Sequence, residues 1–135
     1  MCLLDTCVVS EARRRTPQAV AWLRAAKSET LFVSPFTIGE IMKVVMMKLR
    51  TDPPAAAVLR RWLDELRFVY SARILPVDDG VTSTWGRLMA QRTRPVVDTL
   101  ILATAQVNNK VIVTRNVSAF GDAGVEIIDP WAAMR

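Results

Sequence analysis

The 135-residue chain contains no histidine. That absence excludes Ser-His-Asp and Cys-His nucleophilic machinery and the imidazole ligands of most zinc enzymes. Any metal must sit among oxygens, which favours Mg²⁺ or Mn²⁺. Any general acid or base must be a carboxylate, Lys, Tyr, Cys or a metal-bound water. Cysteine is almost as scarce, with only Cys2 and Cys7. They do not form a CxxC pair, and on one strand they would face opposite sides, so they read as reduced thiols of a cytosolic protein. No segment approaches the roughly 20 uncharged apolar residues of a membrane span. The chain opens directly into Leu3-Leu4-Asp5, and the expectation is a cytoplasmic protein without a secretory leader.

What is present is apolar and basic. Half of the chain, 51%, is hydrophobic and 23% is charged, enough for one real core and short of two, so residues 1–135 read as a single domain. A mean hydropathy of +0.22 is high for so small a chain and suggests surface hidden against a partner. The net charge is +5, and 14 of the 18 cations are Arg. Arg in excess suits bidentate contact with phosphate or carboxylate, which points to nucleic acid or an acidic partner as readily as to a solvated basic surface.

Short apolar runs alternate with amphipathic stretches. Residues 3–9 read as a buried strand with one charge set into it. Thr16-Pro17 opens a helix to about Lys27, Ser34-Pro35 a longer one to about Arg50, and Asp52-Pro53 a third to about Val69 with Val58, Trp62, Leu63, Leu66 and Val69 as its apolar positions. Asp78 caps a helix to about Arg92, and another runs from Val96 to Asn108. Residues 31–33, 74–77, 111–113 and 125–128 complete five strands, with Pro76 marking an end or an edge. This alternation predicts an α/β fold with a mainly parallel five-stranded sheet flanked by helices. In such sheets ligands bind beyond the carboxyl ends of the strands.

Several polar residues stand at such places. Asp5 lies in an apolar run, where an unpartnered carboxylate is costly, and apolar residues on both sides argue against a simple capping role. Asp98 is the single charge of an apolar helix, in the first turn where the helix dipole favours a carboxylate. Asn116 follows a strand in Thr114-Arg115-Asn116, although a turn Asn would look the same. Glu40 flanks the apolar face of its helix and by itself reads as an ordinary surface Glu. Without His, gathered carboxylates most often hold Mg²⁺ or Mn²⁺, which relieves their mutual repulsion. Such a site serves phosphate-ester chemistry.

These residues carry a resemblance. Leu3-Leu4-Asp5-Thr6 with Ser10-Glu11, Ser34-Pro35-Phe36-Thr37-Ile38-Gly39-Glu40, the stretch from Val97-Asp98 to Ala105, Val113-Thr114-Arg115-Asn116 and the closing Ile128-Asp129-Pro130-Trp131 span the whole chain in order. The chain resembles a PIN domain, and within that family the VapC and FitB-like toxins of bacterial toxin–antitoxin pairs. The resemblance implies a PIN-like nuclease domain and a Mg²⁺- or Mn²⁺-dependent endoribonuclease that hydrolyses RNA with a metal-activated water. Asp5, Glu40 and Asp98 match the three core acids, Asn116 a fourth position that is Asp or Asn, and Thr114 a hydroxyl near the site. On this reading Asp5 and Asp98 ligate the metal, with Glu40 and Asn116 acting through water. The resemblance also implies a homodimer and a cognate antitoxin from a neighbouring gene that wraps the toxin into a hetero-oligomer and blocks its cleft.

Two departures stand out. Cys7 replaces the Asn common after Asp-Thr, and Thr93-Arg94-Pro95 is short where relatives carry a longer stretch. Arg115, Arg92 and Arg94 lie beside the proposed site and could meet RNA phosphates, and Arg13-Arg14-Arg15 is expected on the same side. No aromatic platform for base stacking is legible. The rivals are a catalytically silent PIN-like binding or regulatory module and an Asp-based phosphotransfer domain. The phosphotransfer reading fits less well, because position 7 is Cys rather than Asp and Lys110 precedes its strand instead of following it.

Overall fold

The computed structural model describes residues 1–121 and 123–132. Four strands, β1 (Cys2–Leu4), β2 (Leu31–Phe32), β3 (Val111–Val113) and β4 (Ile127–Ile128), pair in the order β2-β1-β3-β4, and every pairing is parallel. Among the described residues six α-helices cover the sheet: α1 (Thr6–Arg13), α2 (Pro17–Ala25), α3 (Pro35–Thr51), α4 (Pro53–Val69), α5 (Asp79–Gln91) and α6 (Val96–Val107). The two-residue period of the strands divides the core. Leu4, Leu31, Val113 and Ile128 point into one cluster with Val8, Ile41, Leu59 and Leu63, whereas Leu3, Phe32, Ile112 and Ile127 point into the other with Ile101, Leu102 and Phe120. The result is an α/β/α sandwich, as the alternation of strands and helices predicts.

The structure corrects three expectations. The strand expected over residues 3–9 stops at Leu4. Asp5 then caps α1, its Oδ1 accepting the Thr6 backbone N–H at 2.8 Å, so the capping role that the apolar flanks argued against is the observed one. Val8 and Val9 are buried from a helix instead of a strand, and tertiary burial overrides their β-branched preference. As a result Cys2 and Cys7 lie in different elements, and both are free thiols.

The strand expected at 74–77 is reduced to one parallel bridge between Val33 and Ile74. Leu75 donates to the Val33 carbonyl, but the next rung would need an N–H from Pro35, which has none and already opens α3, so among the described residues four strands form where five were expected. Within α4, the buried stripe is Ala56, Leu59 and Leu63, and Val58 and Val69 fall outside it with exposures of 64% and 58%. Arg13–Arg15 lie at the far end of α1, about 12 Å along the helix from Asp5, and Arg14 pairs with Glu11 at 3.5 Å.

Candidate active site

The sheet itself creates the position of the site. Strand β1 connects onward to β2 on one side and pairs with β3 on the other, so the strand order reverses at the β1–β3 seam. Crevices at such switch points open beyond the carboxyl ends of the strands. Asp5 follows β1 there and is locked into the seam by its backbone N–H, which donates to the Val113 carbonyl at 2.9 Å. Thr114 follows β3, fully buried, and its hydroxyl donates to Asp5 Oδ2 at 2.8 Å. The direction of that bond is fixed, because a carboxylate only accepts, and the Asn116 backbone N–H donates to the same Thr114 oxygen at 3.0 Å. With the Thr6 N–H on Oδ1, both carboxylate oxygens have a donor, and the buried charge is compensated. Oδ1 retains a further acceptor direction.

Glu40 reaches the same place from α3. Ser34 caps this helix, and Glu40 lies more than one turn in, exposed to solvent. Its Oε1 accepts the Thr6 hydroxyl at 2.8 Å, and that hydroxyl oxygen also lies 2.9 Å from the hydroxyl of buried Thr37. Asp98 arrives from the first turn of α6, whose N-terminus has no side-chain cap. Burial raises its carboxyl above the ordinary aspartate range, and the charges of Asp5 and Glu40 raise it further. The three acids therefore share one electrostatic environment, and like charges held this way favour a proton or a cation. Among the described residues, no three acidic or thiol side chains converge closely enough to form a ready-made metal cage. This donor set suits a hard ion that keeps several waters and takes one or two carboxylates directly, as Mg²⁺ does.

The other expected residues are less closely drawn in. The Asn116 side chain is exposed and accepts the Ser118 hydroxyl at 3.3 Å, so its link to the acids runs through its backbone and Thr114. Arg115 stacks over the Trp131 ring at 4.2 Å. Arg92 follows α5 and is exposed, whereas Arg94 is buried in the loop before α6.

A match to the PIN-domain family model covers residues 2–123. The chain belongs to the PIN-domain family. It is 32% identical to a VapC ribonuclease of Sinorhizobium fredii, over 97% of this chain and 98% of that protein. It is 30% identical to toxin FitB of Neisseria gonorrhoeae, over 97% and 99%. The solved structure of FitAcB from Neisseria gonorrhoeae superposes with a TM-score of 0.88 at 29% identity, covering 97% of this chain and 99% of that one. This is therefore a PIN domain of the VapC and FitB-like type, with the seam between β1 and β3 at its centre.

Thr6 was not singled out for the site from sequence, whereas Cys7 stood out as a departure beside Asp5. Thr6 touches two acids at once, and Cys7 lies 3.5 Å from Asp5 Oδ2 and 3.7 Å from the Thr114 hydroxyl. A Thr directly after an Asp at a helix start is the signal that could have found the first. Cys7 is no nucleophile: burial pushes its thiol up, and the Asp5 charge pushes it further, which keeps it protonated. Replacing both cysteines by Ser, which retains a donor toward Asp5, is expected to leave RNA cleavage within about threefold of the parent, since weak thiol bonds contribute little. Loss of cleavage in a folded Cys2→Ser, Cys7→Ser protein would overturn that.

Proposed function

We propose that this PIN domain is the endoribonuclease toxin of a toxin–antitoxin pair. The observation that carries the reading is that Glu40 joins Asp5 through Thr6 at the switch point, with Asp98 near enough that, after burial, the charges of both raise its carboxyl. The names of the relatives, a VapC ribonuclease and a FitB toxin, support the same conclusion. Asp5 and Asp98 would hold a Mg²⁺ or Mn²⁺ ion, with Glu40 and the Asn116 amide contributing through water. When bound, such an ion supplies charge neutralisation of the scissile phosphate and acidification of a water. The chain's own part is to fix the Asp5 carboxylate through its donors and to hold Glu40 beside it. With Oε1 occupied by Thr6, Glu40 Oε2 is the atom placed to accept a proton from an attacking water. The exposed Arg115 and Arg92 would meet flanking phosphates, whereas Arg94 is buried and drops out of that set. Incubation of a defined RNA with the protein and Mn²⁺, beside an Asp5→Asn control, tests the reading. Equal cleavage by both would overturn it.

The antitoxin surface follows from the groove that leaves Glu40 between α1 and α3. Ile41, Val44, Met47, Leu59 and Trp62 form its apolar floor, and Arg13, Arg14, Lys43 and Lys48 form a basic rim. Val44 and Met47 are 43% and 58% exposed, and such an apolar stripe suits a partner segment of helical or extended form. A segment lying along it would cover Glu40. A Met47→Glu protein is expected to bind the antitoxin encoded beside it at least about tenfold more weakly, as for a buried contact residue, while retaining cleavage. Calorimetric titration against the antitoxin checks this, and unchanged affinity would move the partner elsewhere. The apolar surface also supports a symmetric homodimer, to be read by light scattering at micromolar concentration.

A further inference from the structure

Glu40 presents a physical problem. It is a long, exposed side chain on α3, and two like charges repel it from the cleft, since its own charge and that of Asp5 both raise Asp98. Left alone, it would swing toward water, because rotamer freedom and repulsion act in the same direction. Something must hold it in.

We propose that Thr6 is a positioning residue that clamps Glu40 to Asp5 and thereby sets the affinity of the site for its divalent cation. The inference rests on the metal reading given above and concerns a residue outside the set of acids. Thr6 has two donors and spends them on two different acids: its backbone N–H on Asp5 Oδ1 and its hydroxyl on Glu40 Oε1, each at 2.8 Å. Because an ionised carboxylate only accepts, the single Thr6 hydroxyl proton is committed to Glu40. The Thr37 hydroxyl, 2.9 Å away and fully buried, must then donate to Thr6. The relay runs from Thr37 to Thr6 to Glu40. Its direction is fixed at one end by a charge and at the other by burial. A donor chain ending on a carboxylate is stronger than its separate bonds, and partners of this type behind metal-facing groups change metal affinity by about 10–100-fold. Thr6 is also the first residue of α1, so the clamp is anchored to the element that Asp5 caps.

Thr6→Val retains the side-chain shape and the backbone N–H to Asp5 and removes only the hydroxyl. Thr6→Ser restores it. In the metal-free, ¹³C-labelled full chain, the Glu40 carboxyl resonance is expected to move in Thr6→Val and to return toward the parent position in Thr6→Ser. Mn²⁺ binding, followed by the electron paramagnetic resonance of the free ion, is expected to weaken about tenfold in Thr6→Val and to stay within about twofold in Thr6→Ser. The effect of Thr6→Val should vanish in a Glu40→Gln background if it acts through Glu40, as a double-mutant cycle requires. An unmoved Glu40 resonance, or an equal loss of Mn²⁺ affinity with and without Glu40, would overturn the clamp. A parent chain that binds no Mn²⁺ would overturn the metal reading and the effect on affinity with it, while the carboxyl resonance still decides whether Thr6 holds Glu40.

Discussion

Asp5→Asn and Asp98→Asn proteins are each expected to fold and to lose at least about a hundredfold in RNA cleavage, the scale at which single charge-stabilising contacts matter in other enzymes. At position 5 the amide oxygen can still accept the Thr6 N–H. The amide nitrogen, however, would face the Thr114 hydroxyl, whose lone pair already accepts from Asn116. The Thr114 hydroxyl would have to turn its proton away and accept through its other lone pair, and no charge would remain to attract a cation. At position 98 the consequences for stability and activity should diverge. The folded state holds the Asp98 proton more tightly than the unfolded chain does, because burial and the charges of Asp5 and Glu40 raise it. The native state therefore binds more protons between the ordinary aspartate value and the raised one. Stability falls as pH rises through that window, and the whole penalty is present at neutral pH. Asp98→Asn removes it, so the metal-free variant should melt higher than the parent at pH 7. The gain should be about 1 kcal/mol or less, since the side chain is part-solvated. The difference should close as pH falls toward 4. A folded Asp98→Asn protein that cleaves at the parent rate would remove Asp98 from the site, and one that melts lower would remove the repulsion.

Much of this site was legible before any coordinates. Asp98 stood out as one charge in an apolar helix, and its first-turn position follows from the Pro95 stop. The β3 end at Thr114 followed from a short apolar run ended by polar residues. Glu40 was different. Its spacing in α3 said only that it flanks the buried face, and what draws it to Asp5 is a hydroxyl 34 residues away in sequence, which no local period encodes. The helix α1 was missed because Thr6, Val8 and Val9 favour strands locally, whereas the deciding forces are the Asp5 cap and burial of both valines. Pro76 was read correctly as an end, but a strand reduced to one bridge depends on its neighbour across the sheet. The groove beside Glu40 was equally hidden, because Val44 has an apolar neighbourhood in sequence and an open one in space.

Chelation is expected to abolish cleavage, and added Mg²⁺ or Mn²⁺ to restore it. The reasoning starts from the absent histidine. Attack by the RNA 2′-hydroxyl needs a base near neutrality to take its proton and an acid to serve the leaving oxygen. Here the carboxylates at the cleft are crowded, and Cys7 is kept protonated by burial and by Asp5. An external water acting with a divalent ion then remains as the route, and its products carry 5′-phosphate and 3′-hydroxyl ends. End-labelled fragments ligated or dephosphorylated by enzymes specific for those ends will read this directly. The same ion should stabilise the fold, because it binds the native acids and relieves their repulsion. At a hundred times its dissociation constant, a ligand specific for the native state adds about 2.7 kcal/mol. That gain should appear as a higher melting temperature in the parent and be lost in Asp5→Asn. Cleavage that persists in EDTA, or that leaves 2′,3′-cyclic phosphate ends, would place the chemistry outside these acids. A melting temperature that ignores Mn²⁺ while cleavage still requires it would mean that the ion enters with the RNA and is held mainly by phosphate oxygens.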